Sequence, residues 1–165
     1  MVESPPREAP PLRLVDTSVL DRVFREESAR MWRALTAYSG SRDIAQDAVA
    51  EAFAQAAGRG HAIRSPERWV WKAAYRIAAG ELKQQGGVLP LSVDAPIVES
   101  EPAWELRSAL RCLPSRQRAA LVLHYYAGYR ARDIARITGS TPGGVWMSLS
   151  RGRRRLREML EDNDA

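Results

Sequence analysis

The sequence predicts an all-α chain of two small helical domains joined by a flexible linker, the C-terminal one a helix-turn-helix domain. Three observations carry this. Apolar residues recur three and four positions apart on both sides of a central break, the spacing of one helix face. No segment alternates apolar and polar residues for long enough to argue a strand. Between the two patterned blocks lies "GGVLPLSVDAPIVESEP", residues 86 to 102, which mixes glycines, prolines and scattered acids without a sustained period, as a linker does. The predicted boundaries are 17–85 for the first domain, 86–103 for the linker and 104–161 for the second.

Each element has its own signals. Leu20, Val23, Phe24, Met31, Leu35 and Tyr38 share one helical face between Asp16 or Thr17 and a stop at Gly40. Ser41 then precedes a helix with Ala45, Val49, Ala52, Phe53 and Ala56 on one face, stopping at Gly58. Ser65, with Pro66 at the first helical position, opens a third that runs to about Gln85. After the linker, Pro102 opens a helix through Leu113, Pro114 interrupts, and Ser115 caps a helix that ends near Gly128. "YRARDIARITG", a turn through Gly139 and Ser140, and a last helix complete the order helix, turn, helix, in which the final helix enters a DNA major groove.

Composition narrows the function classes. The chain has 165 residues and 45% hydrophobic content, enough for one core or two modest ones. One cysteine, Cys112, cannot form an internal disulfide, and with two histidines it cannot build a zinc cluster, which points to a reducing compartment. No apolar run approaches the ~18 residues that span a bilayer, and "MVESPPREAPPLRL" has prolines where a signal peptide needs an apolar segment. The expected location is therefore the cytoplasm, with no membrane insertion. No His, Cys or acid constellation has catalytic spacing and no Gly-rich phosphate loop follows a strand, so no enzyme, catalytic residue, metal or cofactor is expected. Residues 104–165 carry 12 arginines against 6 acids and residues 20–85 carry 11 lysines or arginines against 8 acids, while the remainder is net acidic. Basic excess confined to the two patterned blocks suits a polyanionic partner.

The last helix carries the sharpest signal. With Thr141 as N-cap, Pro142 first and about 100° per residue, Val145, Leu149, Gly152, Leu156 and Leu160 form one stripe that buries against the domain. The opposite face carries Gly143, Met147, Ser150, Arg151 and Arg154, with Trp146 and Arg157 on one flank. Gly143 and Gly144 let backbone approach DNA, Trp146 or Met147 can pack on a thymine methyl or a sugar, and the arginines can reach phosphates or a guanine edge. Alternatively Trp146 and Met147 are core residues and the arginines a solvated face, but the apolar stripe is complete without them.

The first block shows two stripes of opposite sign. In "SPERWVWKAAYRIAAGELKQQ", Lys72, Arg76 and Lys83 fall on one line with Trp69 beside it, a path for a nucleic-acid strand, while Trp71, Ala74, Ile77, Ala78 and Leu82 face the core. Three basic residues on a helix are, taken alone, more often solvation than binding. The preceding loop "GRGHAIR", with Arg59, His61 and Arg64, forms a pocket for an unstacked base, although a lone histidine in a loop is often simply exposed. Asp43, Asp47 and Glu51, four residues apart on the face opposite Val49, Phe53 and Ala56, make an acidic ridge that suits a basic protein partner; ordinary surface charge explains such ridges equally often.

Taken together, these residues resemble an extracytoplasmic-function (ECF) sigma factor of bacterial RNA polymerase. "RDIAQDAVAEAFAQA" is similar to the family's core-binding helix, "WVWKAAYRIAAGELK" to its promoter-melting helix, and "LPSRQRAALVLHYYAGYRARDIARITGSTPGGVWMSLSRGRRRLR" to its second promoter-reading domain. The resemblance implies sigma domain two at 17–85 and sigma domain four at 104–161. It also implies partners: core RNA polymerase, through its β′ clamp helices and β flap, and promoter DNA. An anti-sigma factor is a further candidate.

Residue roles follow from the same likeness. Asp43, Gln46, Asp47 and Glu51 would dock on core polymerase. Arg59, His61, Arg64, Trp69, Lys72, Arg76 and Lys83 would hold the minus-ten strand, with a flipped base in the loop at 58–65. Thr141, Gly143, Gly144, Trp146, Met147, Ser150, Arg151 and Arg154 would read the minus-thirty-five element. The sequence also departs from the family pattern: Ala50 replaces a core-binding glutamine, Ala57 a tryptophan and Arg76 an asparagine, while "KQQGG" replaces an arginine run. Trp146 stands where lysine is common, and Met147 and Ser148 replace a Ser-Arg pair. The implied function is a promoter-specificity subunit; the competing one is a helix-turn-helix regulator that binds duplex DNA without polymerase.

Overall fold

The computed structural model describes residues 17–86 and 101–163, which contain seven α-helices, one short 3-10 turn and no strand. They are α1 (Thr17–Ser39), α2 (Arg42–Arg59), α3 (Pro66–Gln84), α4 (Glu101–Arg111), α5 (Ser115–Tyr125), α6 (Ala131–Thr138) and α7 (Pro142–Asn163), with the turn at Gly60–Ala62 between α2 and α3. Asp16 and most of the expected linker, residues 87–100, lie outside the described residues.

Local chemistry explains the helix ends, with three corrections to the sequence reading. As expected, Gly40 ends α1 at φ 70° and the Ser41 hydroxyl caps α2 by accepting from the Ile44 amide at 3.2 Å. Gly58 does not stop α2. The helix runs on to Arg59, and Gly60, at φ 59°, turns the chain while its amide closes on the Ala56 carbonyl. A glycine inside a helix weakens it without breaking it; the left-handed conformation is what ends it. Ser115 does not cap α5: Pro114 holds that position, and its carbonyl starts the ladder by accepting from Gln117 and Arg118 at 2.9 and 3.0 Å. Finally, α4 stops at Arg111 rather than Leu113, its last turn tightening through the Cys112 amide to the Ala109 carbonyl at 3.1 Å.

In the N-terminal half α1, α2 and α3 all pack on one another around Met31, Leu35, Val70 and Trp71, each no more than 1% exposed. Trp71 is pinned from α1: its indole Nε1 donates to the Glu27 carboxylate at 2.9 Å, and Arg30 donates to the same oxygen. Phe24, expected on the buried face, is instead 47% exposed and meets Phe53 edge to face at 5.0 Å. α1 needs only one flank against α2 there.

In the C-terminal half α5 is the hub, buried continuously from Gln117 to Leu123 and packed on α6, α7 and α1. α7 crosses α5 at Gly152, where a Cβ would lie 3.0 Å from Leu121 Cδ1. Only hydrogen fits without displacing that leucine. α6 ends at Gly139, left-handed at φ 68°, which supplies the turn into α7.

The halves are in contact. α5 lies against α1, and the core is continuous from one half to the other. The Arg118 guanidinium of α5, 3% exposed, sits 5.4 Å from the Tyr38 ring centre of α1. The Tyr129 hydroxyl donates to the Arg68 carbonyl of α3 at 2.6 Å, and Arg76 of α3 donates to the Arg136 carbonyl of α6 at 3.3 Å.

The register of α7 makes a stability contrast testable. Leu149 is fully buried and Trp146 is 56% exposed. Leu149→Ala is therefore expected to cost about 2–5 kcal/mol in urea unfolding followed by circular dichroism. Trp146→Ala, which removes the larger side chain, should stay within about 0.5 kcal/mol of the parent.

Candidate nucleic-acid interface

α7 is aimed by its buried stripe. Val145, Leu149 and Gly152 are buried and Leu156 and Leu160 half-buried, as the 3.6-residue period requires. The N-terminus is capped as predicted, the Thr141 hydroxyl accepting from the Gly144 amide at 3.1 Å. Opposite the stripe, Gly143, Trp146, Met147, Ser150, Arg151 and Arg154 are all exposed. Trp146 and Met147 are thus outside the core, at 56% and 52% exposure. Two large apolar side chains held in water beside arginines are what a groove-reading helix offers to thymine methyls and sugars.

The two leading glycines are not equivalent. A Cβ on Gly143 would meet nothing within 4 Å, so its surface is open to a partner. A Cβ on Gly144 would lie 2.9 Å from Ser140 Oγ and 3.2 Å from Thr141 Oγ1. The helix cap itself demands that glycine.

The arginine cluster divides in the same way. Arg153 donates to the Tyr125 hydroxyl at 3.2 Å and Arg155 to Gln117 Oε1 at 3.4 Å, so both bind back to α5. Arg154 points outward and pairs only with Glu158, one turn on at 3.7 Å, with both side chains more than 60% exposed. Such a pair contributes little and yields readily to a phosphate.

A second basic surface surrounds the loop before α3. Arg64, Trp69 and Lys72 line one cleft of about 380 Å³, and the Arg59 guanidinium lies 5.3 Å from the Trp69 ring centre, a cation–π contact. His61 is exposed on the 3-10 turn, and Lys83 is exposed further along α3, outside the cleft. Arg76 is drawn to the Arg136 carbonyl. The opposite wall is made by α6 and the residues before it: Tyr129, Asp133, Arg136 and Ile137. None of these four was legible as part of this site, because nothing in their sequence spacing links them to residues sixty positions earlier. Arg68, which also lines the cleft, was missed although it lies within the quoted stretch.

The acidic ridge is present as a surface. Asp43, Gln46, Asp47 and Glu51 are exposed on α2, while Ile44, Ala45, Ala48, Val49, Ala52, Phe53 and Ala56 face inward. Glu51 accepts from Gln55 at 2.8 Å, which holds its carboxylate on the ridge. Ala50 and Ala57, where larger side chains were expected, are exposed and leave the helix surface flat.

The arginine of "LPSRQR" holds the least anticipated position. Arg118 is buried, its Nη1 donating to the Leu113 carbonyl at 2.9 Å while its Nε has no partner. Burial lowers its pKa against the opposing pull of Tyr38 and Tyr75. Burial likewise raises the Tyr75 and Tyr129 phenols, so both stay neutral donors.

Comparison with known proteins gives consistent results. The sigma-70 region 4 family model matches residues 103–156. The ECF RNA polymerase sigma factor SigM of Mycobacterium tuberculosis is 27% identical over 154 residues, covering 88% of this chain and 79% of that protein. The RNA polymerase sigma factor SigV of Bacillus subtilis is 25% identical over 156 residues, covering 89% and 94%. The fold is shared with the sigma factor RpoE of Bartonella quintana, solved in complex with its anti-sigma factor NepR, at TM-score 0.71, 20% identity and coverage of 88% and 96%.

Two substitutions test α7. Arg154→Ala should weaken binding to every duplex and shallow the dependence of log Kd on log salt by about one unit; an unchanged slope, read by fluorescence anisotropy, would strike it from the phosphate contacts. Trp146→Ala should alter the ranking of upstream sequences in a selection from a duplex library, whereas an identical ranking would mean that it touches no base.

Proposed function

We propose that this chain, a homologue of the ECF sigma factors with a sigma-70 region 4 domain at residues 103–156, is a promoter-specificity subunit that binds core RNA polymerase and enables initiation at promoter DNA. The observation that carries the reading is the outward face of α7, where Trp146, Met147, Arg151 and Arg154 stand in water beside a capped N-terminus. Residues 17–85 serve as sigma domain two and 104–161 as sigma domain four. α7 reads the minus-thirty-five element. Arg59, Arg64, Trp69 and Lys72 hold the minus-ten strand, and the ridge of Asp43, Gln46, Asp47 and Glu51 docks on the β′ clamp helices.

The β flap contact is assigned to an apolar recess of about 350 Å³ between α4, α5 and α7, floored by Leu110 and Val122 with Arg153 and Arg157 at its rim. Specificity for promoter DNA requires no bond-making by the chain itself, and no catalytic role is assigned to any side chain. No helix among the described residues is long and apolar enough to cross a membrane.

Run-off transcription with purified core enzyme and a promoter library tests the whole reading: initiation from a defined subset of templates is expected only when the chain is present. Asp47→Lys with Glu51→Lys should abolish co-purification with core polymerase at low salt while leaving duplex binding through α7 unchanged. A parent chain that fails to bind core but binds duplex DNA would instead be a free-standing helix-turn-helix regulator.

A further inference from the structure

The cleft assigned above to the minus-ten strand is not open on all sides. Arg64, Trp69 and Lys72 form one wall, and Tyr129, Asp133 and Arg136 form the other. The second wall belongs to the half that carries the helix-turn-helix. Arg76, next on the expected strand path, is engaged by the backbone carbonyl of Arg136. A strand running along Trp69, Lys72 and Arg76 would meet α6 and the carboxylate of Asp133.

Distance leads to the same conclusion. The two promoter elements are separated by about 25 base pairs, or about 85 Å of duplex at 3.4 Å per step. A packed body of this size is about 35–40 Å across. The halves as packed cannot reach both elements at once. Covalent geometry permits their separation, since residues 87–100 can span up to about 50 Å.

The contact between the halves is built to be left. It encloses a void of about 90 Å³ bordered by Tyr75, Ala119, Ala120 and Ile134. It buries the Arg118 guanidinium with its Nε unpartnered and no ion pair among the described residues. Voids and incompletely satisfied buried charge both weaken an interface. What holds it is a small number of directed bonds, above all Tyr129 to the Arg68 carbonyl at 2.6 Å. Tyr129 is itself fixed within its own half, its amide donating to the Leu123 carbonyl at 3.0 Å and its carbonyl facing His124 Nδ1 at 2.9 Å.

We propose that the C-terminal half acts as an internal plug of the strand-binding cleft: α6 and the residue before it, Tyr129, latched onto Arg68 and Arg76 of α3, exclude a nucleic-acid strand until the halves part. The inference rests on the strand-binding reading of that cleft. It gives Arg76, which departs from the family's usual asparagine, a role in the closed state as well as on the strand.

The test uses the full chain, dye-labelled at the exposed native Cys112 and at an introduced Gln55→Cys on α2, so that energy transfer reports the separation of the halves. Single-stranded DNA dodecamers of random sequence are the probe. Transfer should fall as they bind. Tyr129→Phe, which removes one hydrogen bond of the latch, should raise their apparent affinity about five-fold by enlarging the open population, with duplex binding unchanged. Equal affinity in parent and Tyr129→Phe would overturn the latch, and binding without loss of transfer would overturn the plug. If Tyr129→Phe lowers transfer yet neither form binds the strands, the cleft does not hold nucleic acid, and the plug and the strand-binding reading fall together, an outcome distinct from the other two.

Discussion

The outward face of α7 depends on one close crossing. Val145 and Leu149 bury against the rest of the C-terminal half, and Gly152 brings the α7 backbone so near Leu121 that a methyl group would already crowd it. Once those positions are fixed inward, the helical period leaves Trp146, Met147, Arg151 and Arg154 no direction but solvent. The same crossing recruits Arg153 and Arg155 back to α5. A cluster that reads in sequence as one basic run is therefore two sets, one aimed at a partner and one holding the helix that does the aiming.

α3 solves a related problem in the first half by using both sides of one helix. Trp71 turns inward and is held by the Glu27 carboxylate, itself only 13% exposed and paired with Arg30. A carboxylate so enclosed stays charged only because two donors satisfy it. With Trp71 locked, Trp69 and Lys72 are presented at the surface from a rigid base rather than a mobile loop. The loop in front of them is shaped by Gly60, whose positive φ releases α2 and delivers Arg59 onto the Trp69 ring.

Between these two devices lies an interface of a different character. Its aromatic partners, Tyr38, Tyr75 and Tyr129, are each less than 10% exposed, yet they surround a cation rather than a hydrocarbon. Desolvating a guanidinium costs on the order of several kcal/mol, and a tyrosine ring with one backbone carbonyl offsets only part of it. Each half has a denser core of its own. The junction is thus the weakest part of the packed chain, and it coincides with the place where two DNA-facing surfaces meet.

The sequence by itself determined the all-α class, the order of the helices, the stripe that buries α7 and the exposed acidic ridge on α2. These are local matters, set by a 3.6-residue period, by caps such as Ser41 and Thr141 and by glycines that alone accept a left-handed turn. The true end of α2 at Gly60 rather than Gly58 was unreadable, because which of two nearby glycines takes positive φ depends on where α3 must begin. Only the tertiary structure decided that Gly144 serves its own helix cap, that Arg118 of a basic motif is buried, and that Tyr129, Asp133 and Arg136 wall a cleft begun by residues near 64. Contacts between residues sixty positions apart leave no period in a sequence; they arise when two finished surfaces meet, and their energy depends on shape and charge that neither segment carries alone.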